Sequence, residues 1–142
     1  MRIHATLLAL ATTALFATGC SDSNAPNTNY VGRYGLVSVD GQPLPITVVD
    51  DPTLTLTLTD GGLTLKSNNA YTLDVSYSVA TGGIPAAPQQ VSCDGTYQRS
   101  GNTFTLTGAE SEECSGPTAT GVLDGNTLTV TDDTGEILVF RR

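Results

Sequence analysis

Basic residues are scarce in this 142-residue chain: six Lys and Arg stand against fourteen Asp and Glu, a formal net charge of −8. Phosphate recognition needs clustered Lys and Arg, so this balance excludes nucleic acid as a partner and disfavours binding to anionic lipid by charge alone. Histidine occurs once, at position 4, and nothing downstream supplies the usual base for a serine or threonine nucleophile. Long apolar runs are also missing. The single one, Ile3 to Phe16, falls short of the about 20 residues that cross a bilayer. Tryptophan is absent, and no window after Tyr30 carries a helical period.

What is present starts with the leader. Arg2 gives a short basic start, Leu7 to Phe16 an apolar core, and small residues precede Cys20, the layout of an export signal. Ala17-Thr18-Gly19-Cys20 resembles the lipobox of bacterial lipoproteins, with Ala17 where that motif more often has Leu. The resemblance implies a helical signal peptide over 1–19, cleavage between Gly19 and Cys20, and acylation of Cys20. It also implies an envelope location with the membrane reached through that lipid. Ser21 follows the cysteine in place of the inner-membrane-retaining Asp, which implies the outer membrane of a two-membrane cell, with the domain periplasmic or surface-exposed. One acyl chain anchors only reversibly, at about 0.8 kcal/mol per buried methylene; the several chains of that family hold permanently. Residues 20–29 read as the lipidated cysteine and a flexible tether of small polar and turn-forming residues, reaching about 30 Å when extended. The domain proper is expected over 30–142, enough for one core.

Removal of 1–19 leaves five basic residues against fourteen acidic ones, a net charge of −9, and two cysteines besides Cys20. An oxidising envelope compartment favours pairing Cys93 with Cys114. Closing a loop of that length stabilises a chain by about 3 kcal/mol.

From Tyr30 onward the chain is written in period two. Thr53 to Thr59, Tyr71 to Val79, Thr103 to Thr107 and Thr127 to Thr131 alternate apolar with polar residues, the pattern of half-buried strands, and β-branched threonine on the polar face favours strand over helix. Asp60-Gly61-Gly62, Ser67-Asn68-Asn69, Ser100-Gly101-Asn102, Asp124-Gly125-Asn126 and Asp132-Asp133-Thr134-Gly135 supply turn residues between the runs, predicting antiparallel hairpins. Gly101-Asn102-Thr103-Phe104-Thr105-Leu106-Thr107 recurs as Gly125-Asn126-Thr127-Leu128-Thr129-Val130-Thr131, one hairpin unit used twice. Strands are expected near 30–39, 45–49, 53–59, 62–66, 70–79, 90–98, 103–108, 118–123, 126–131 and 136–141. The fold class is all-β: an antiparallel up-and-down meander closing into a small barrel of 8–10 strands, with a two-sheet sandwich as the alternative. Ala80 to Pro88 and Glu110 to Pro117 are the irregular connections. A hairpin about Ser100-Gly101 places Cys93 opposite residue 108, so the disulfide would draw the acidic loop back across the sheet.

Gly32-Arg33-Tyr34-Gly35-Leu36-Val37-Ser38-Val39-Asp40-Gly41-Gln42-Pro43-Leu44-Pro45, the Thr-rich hairpins and the closing Ile137-Leu138-Val139-Phe140-Arg141-Arg142 resemble small bacterial lipoproteins with a lipocalin-like barrel. Lipocalins carry Gly-x-Trp on the first strand, its ring beside an arginine of the last. Gly32-x-Tyr34 takes that place here, and the resemblance implies Arg141 or Arg142 as its cation-π partner.

No catalytic residue, cofactor or metal ligand set emerges, and the chain reads as a non-enzyme. Asp50-Asp51, Asp132-Asp133 and Glu110/Glu112/Glu113 read as solvated loop charges, without the calcium-loop spacing of an EF-hand. The favoured function is a membrane-anchored envelope interaction module for a protein or polysaccharide partner. The alternative is a carrier of a small apolar ligand, lined by Leu54, Leu56, Leu58, Leu73, Val75, Tyr77, Phe104 and Leu106, with Ile84-Pro85 near the mouth. A further reading resembles small disulfide-bonded periplasmic barrels that inhibit lysozymes or proteases by inserting a loop, here one carrying Glu110, Glu112 and Glu113. An interior void of at least about 300 Å³ separates carrier from module.

Overall fold

The computed structural model describes residues 29–109, 114 and 118–142. Among them the chain forms eleven strands: β1 (Gly32–Val39), β2 (Gln42–Pro43), β3 (Ile46–Asp51), β4 (Leu54–Leu65), β5 (Ala70–Thr81), β6 (Ile84–Pro85), β7 (Gln89–Ser100), β8 (Thr103–Gly108), β9 (Thr118–Asp124), β10 (Thr127–Thr131) and β11 (Ile137–Arg141). Every pairing between them is antiparallel. The sheet runs β1-β11-β10-β9-β8-β7-β5-β4, and β4 returns to β1 through Gly32↔Leu65 to Gly35↔Gly62. That ladder closes an eight-stranded up-and-down barrel and removes the sandwich alternative. β2, β3 and β6 are additions to β1, β4 and β5.

The period-two runs fold as expected because closure gives every strand one dry face. Tyr34, Leu36, Leu63, Leu65, Tyr97, Phe104, Leu106, Leu128, Val130 and Phe140 are buried inside, while the alternating threonines of β8 lie exposed and those of β10 half-buried. The hairpin unit used twice becomes β8 and β10, which flank β9. Phe104 and Val130 both face Gly121 there, and the missing side chain leaves room for Leu128 and Phe104.

One expected turn is absent. Asp60-Gly61-Gly62 does not separate two strands; it lies within β4, which runs unbroken through 12 residues with a bulge between Leu58 and Asp60. The glycines serve close approach instead. A Cβ on Gly61 would stand 3.1 Å from the Leu36 side chain, and one on Gly62 2.6 Å from the Arg33 guanidinium. At this bulge β4 leaves β3 and takes up β1, so the strand bends without a loop. The β7–β8 hairpin is also shifted from the expected register: Ser100 pairs Thr103 and Gly95 pairs Gly108, so its turn is Gly101-Asn102, and Cys93 lies two residues beyond the partner of Gly108. Within Ala80 to Pro88, β5 extends to Thr81 and β6 pairs back onto it.

The barrel has two unlike ends. At the base, Tyr30 caps the interior, its ring 6.2 Å from that of Tyr97 and 5.5 Å from that of Phe104. The Arg99 guanidinium lies 4.2 Å from the Tyr30 centroid. Arg142, not Arg141, provides the cation over Tyr34, at 4.9 Å, and donates hydrogen bonds to the carbonyls of Asn29 and Val31. The Tyr34 hydroxyl donates to the Tyr30 carbonyl at 2.7 Å. Burial, reinforced by Tyr30, pushes the Tyr97 phenol up to about 12. Edge-to-face ring pairs contribute about 0.5–1.5 kcal/mol each beyond their buried area, so the plug is a cooperative aromatic cluster that fills the lower half.

Above it, Gly95 faces the interior. A Cβ there would lie 2.4 Å from the Tyr71 ring and 2.5 Å from the Thr107 carbonyl oxygen, and the second contact is backbone that cannot swing away. Gly95→Ala is expected to destabilise the domain by about 1–3 kcal/mol. The urea midpoint measures this; an unchanged midpoint would mean that neither Tyr71 nor the Thr107 carbonyl crowds the glycine.

Candidate functional site

The mouth is the opposite end, where β1, β5, β8 and β10 finish and β4, β7, β9 and β11 begin. Alternation carries inward-facing residues up to it from every strand, but the large aromatics stop short. A cavity of about 220 Å³ is left below the rim. Leu63, Tyr71, Leu73 and Leu106 line one side, and Ala119, Val130, Leu138 and Phe140 the other. The upper lining is small because Val130 stands one inward step above the larger Leu128 on β10, and Ala119 is what faces Leu106 across the ladder.

Two carboxylates, Asp132 and Glu136, complete the lining. They belong to the β10–β11 turn, which is held by Asp132 itself: its Oδ1 accepts from the Thr134 amide at 2.9 Å, the Thr134 hydroxyl at 2.7 Å and the Glu136 amide at 2.9 Å. The Thr134 hydroxyl, foremost, holds the Asp132 carboxyl below its ordinary value. Partial burial pushes Glu136 the other way, and the neighbouring charges of Asp132 and Asp40 add to the rise. Asp40 is fixed nearby, accepting from the Ile137 amide at 2.8 Å.

Beyond the barrel, β3, the first half of β4 and the second half of β5 project as a flap. Register puts Ile46, Leu58 and Tyr77, then Val49, Leu56 and Val79, on the face continuous with the barrel interior. This face is only half covered: Val49 is 38% exposed, Leu54 40% and Ile84 74%, and Val48 in the β3 bulge is 50% exposed. β3 has β4 on one side and, among the described residues, is a sheet edge on the other.

The described basic residues gather toward one end of the barrel. Arg33 opens β1, Lys66 follows β4, Arg99 is at the end of β7, and Arg141 and Arg142 end the chain, so all five described basic residues lie toward the base. Arg33 pairs with Asp74 at 2.8 Å and Lys66 with Asp94 at 3.6 Å. Asp40, Asp50, Asp51, Asp132, Asp133 and Glu136 occupy the mouth and flap.

Of the residues singled out in the sequence, Leu73 and Leu106 line the cavity, and Val75 lies on the same face one step above Leu73. Leu54, Leu56, Leu58 and Tyr77 stand on the flap, and Ile84 beside it, where β6 pairs with β5. Phe104 does not line the cavity: it is wholly buried in the basal plug, because β8 starts at the base. Cys93 and Cys114 form a disulfide, Cα–Cα 5.8 Å, on the inner face of β7 near the mouth. Gly19, Cys20, Glu110, Glu112 and Glu113 lie outside the described residues. Sequence reasoning took Asp132 for a loop charge and passed over Glu136. Asp132 continues the inward alternation of Leu128 and Val130, which was the available signal. No family model matches the chain, and no curated protein matches it either.

Proposed function

We propose that the chain is a membrane-anchored, non-enzymatic binding module of the cell envelope, engaging a protein or polysaccharide partner through the mouth end of its barrel. The observation that carries this reading is the polarity of the domain. Asn29 and Tyr30, where the tether of 20–29 joins, are fixed at the base by Arg142 and Arg99, while cavity, flap and acidic rim are at the other end. A lipid on Cys20 therefore attaches the domain by its closed end and leaves the mouth free of the anchor. Exposed apolar side chains beside an acidic rim suit a partner with a basic, partly apolar surface, because complementary charge steers encounter. Burial of the apolar face then supplies affinity.

The cavity favours the carrier reading in its apolar lining but not in its size, since about 220 Å³ is below the about 300 Å³ at which small-molecule pockets begin. The loop-insertion reading draws support from the disulfide, which holds Cys114 at the mouth.

Photo-crosslinking side chains placed at Val48, Ile84 and Asn126 of the full chain, in its native envelope, test the polarity. Adducts are expected from Val48 and Ile84 and not from Asn126 at the base. Adducts from Asn126 alone, or equally from all three, would overturn the assignment of the mouth as the working end.

A further inference from the structure

The geometry points to a ligand class for the cavity: a small apolar group, the size of one ring or a short alkyl chain, that bears a positive charge, as a protonated primary amine does. This rests on the mouth being the working end, and it adds the chemistry of what enters there.

Three observations combine. The wall is hydrocarbon, from Leu63, Leu73, Leu106, Val130, Leu138 and Phe140, and apolar cavities of about 150 Å³ already admit a benzene-sized ring, so about 220 Å³ takes a six-carbon tail. The rim is anionic on one side, where Asp132 and Glu136 both contribute to the lining. Asp132 is oriented by three hydrogen bonds through Oδ1, so its position is set before any ligand arrives. Finally, the carboxylates face like charge. The charges of Asp132 and Asp40 both act on Glu136, and the five described basic residues lie toward the opposite end. An ammonium group seated between Asp132 and Glu136 relieves that repulsion while its tail leaves water. A neutral ligand gains only the second term, and an anion is repelled.

The consequence for pH has a definite sign. Glu136 titrates above its ordinary value because of burial and its acidic neighbours, and only its ionised form attracts the ammonium. Affinity for an amine therefore falls as pH drops through the Glu136 titration, whereas affinity for a neutral alcohol of the same length does not.

Hexylamine and hexan-1-ol, titrated into the full chain carrying Cys20→Ala so that no acyl group competes, provide the test. Methyl resonances of Leu73, Leu106, Val130 and Leu138 report the cavity. Hexylamine is expected to saturate these shifts and hexan-1-ol to bind at least about fivefold more weakly. Asp132→Asn keeps an Oδ1 acceptor for the turn, and Glu136→Gln keeps the side-chain shape. Each is expected to weaken hexylamine about two- to fivefold, the range of a partly exposed ion pair, and to leave hexan-1-ol unchanged. Equal affinity for amine and alcohol, or amine binding indifferent to both substitutions, would overturn the cation assignment. Absence of any shift at the cavity methyls with either ligand would overturn the site. Neither result touches the crosslinking at Val48 and Ile84, so the failure of this inference is separable from failure of the mouth as working end.

Discussion

Phe104→Ala is expected to remove about 3–5 kcal/mol of folding stability, roughly a fifth or more of what a small domain possesses, about 5–15 kcal/mol. Phe104 has no exposed surface. Its ring contacts those of Tyr30 and Tyr97 at 5.5 and 5.7 Å, and Arg99 approaches it at 5.8 Å. Of its two ladder partners, Gly121 has no side chain to move into the space, and Arg99 is already held over the Tyr30 ring. The cavity therefore stays open, and the penalty lies toward the upper part of that range. Urea unfolding of the two proteins measures it, with Phe104→Leu expected to recover most of the loss because it restores most of the volume. A shift worth less than about 1 kcal/mol would show that the basal plug can repack, contrary to the packing of three rings about one site.

Replacing Cys93 and Cys114 together by Ala is expected to cost about 3 kcal/mol, from the larger conformational freedom of the unfolded chain once a loop spanning 21 positions is no longer closed. For a domain of this size that lowers the melting temperature by on the order of 10–20 °C. The effect differs in kind from that of Phe104→Ala. The cysteines sit near the mouth, outside the buried cluster, so their loss leaves the basal packing intact. The folded form at low temperature should keep its strand content by circular dichroism, and the loss should appear in the melting temperature alone. Collapse of the strand signal at low temperature would mean that the disulfide holds the fold itself. An unchanged melting temperature would mean that the pair is not joined in the protein.

Strand identity was legible from Tyr30 onward because period two is a direct consequence of strand geometry: successive side chains point to opposite faces, and one face is dry. Turn residues located most boundaries for the same local reason. Asn69 and Gly101 do adopt positive φ, 62° and 61°, where left-handed backbone is needed. The exception is instructive. Asp60-Gly61-Gly62 has the letters of a turn, yet its glycines answer to Leu36 and Arg33 on the adjacent strand β1, neighbours that no local window contains. The pairing of Tyr34 with an arginine was legible as a motif, but only the position of the final residue over the base selected Arg142 rather than Arg141.

The cavity was less legible than the fold. Leu54, Leu56 and Leu58 have the same alternation as Leu63 and Leu65, and nothing local distinguishes a strand segment inside the barrel from one projecting past its rim. The bulge after Leu58 makes that distinction, because it is where β4 exchanges one neighbour for another. Phe104 and Leu106 likewise share a strand face, yet one fills the base and the other lines the mouth. Depth along the barrel axis depends on the shear of the closed sheet, which is a property of all eight strands at once.

Composition and periodicity alone therefore determined an acidic all-β domain of antiparallel hairpins with threonine outward and leucine, tyrosine and phenylalanine inward, since charge and side-chain alternation are local quantities. Tertiary structure decided that the sheet closes, that aromatic rings block one end while a small apolar cup opens at the other, and that the described basic residues gather toward the blocked end. Those outcomes arise from residues far apart in the chain meeting through closure, as when Asp132 and Glu136 join Leu63 and Tyr71 around one cavity, and no stretch of sequence contains both partners of such a meeting.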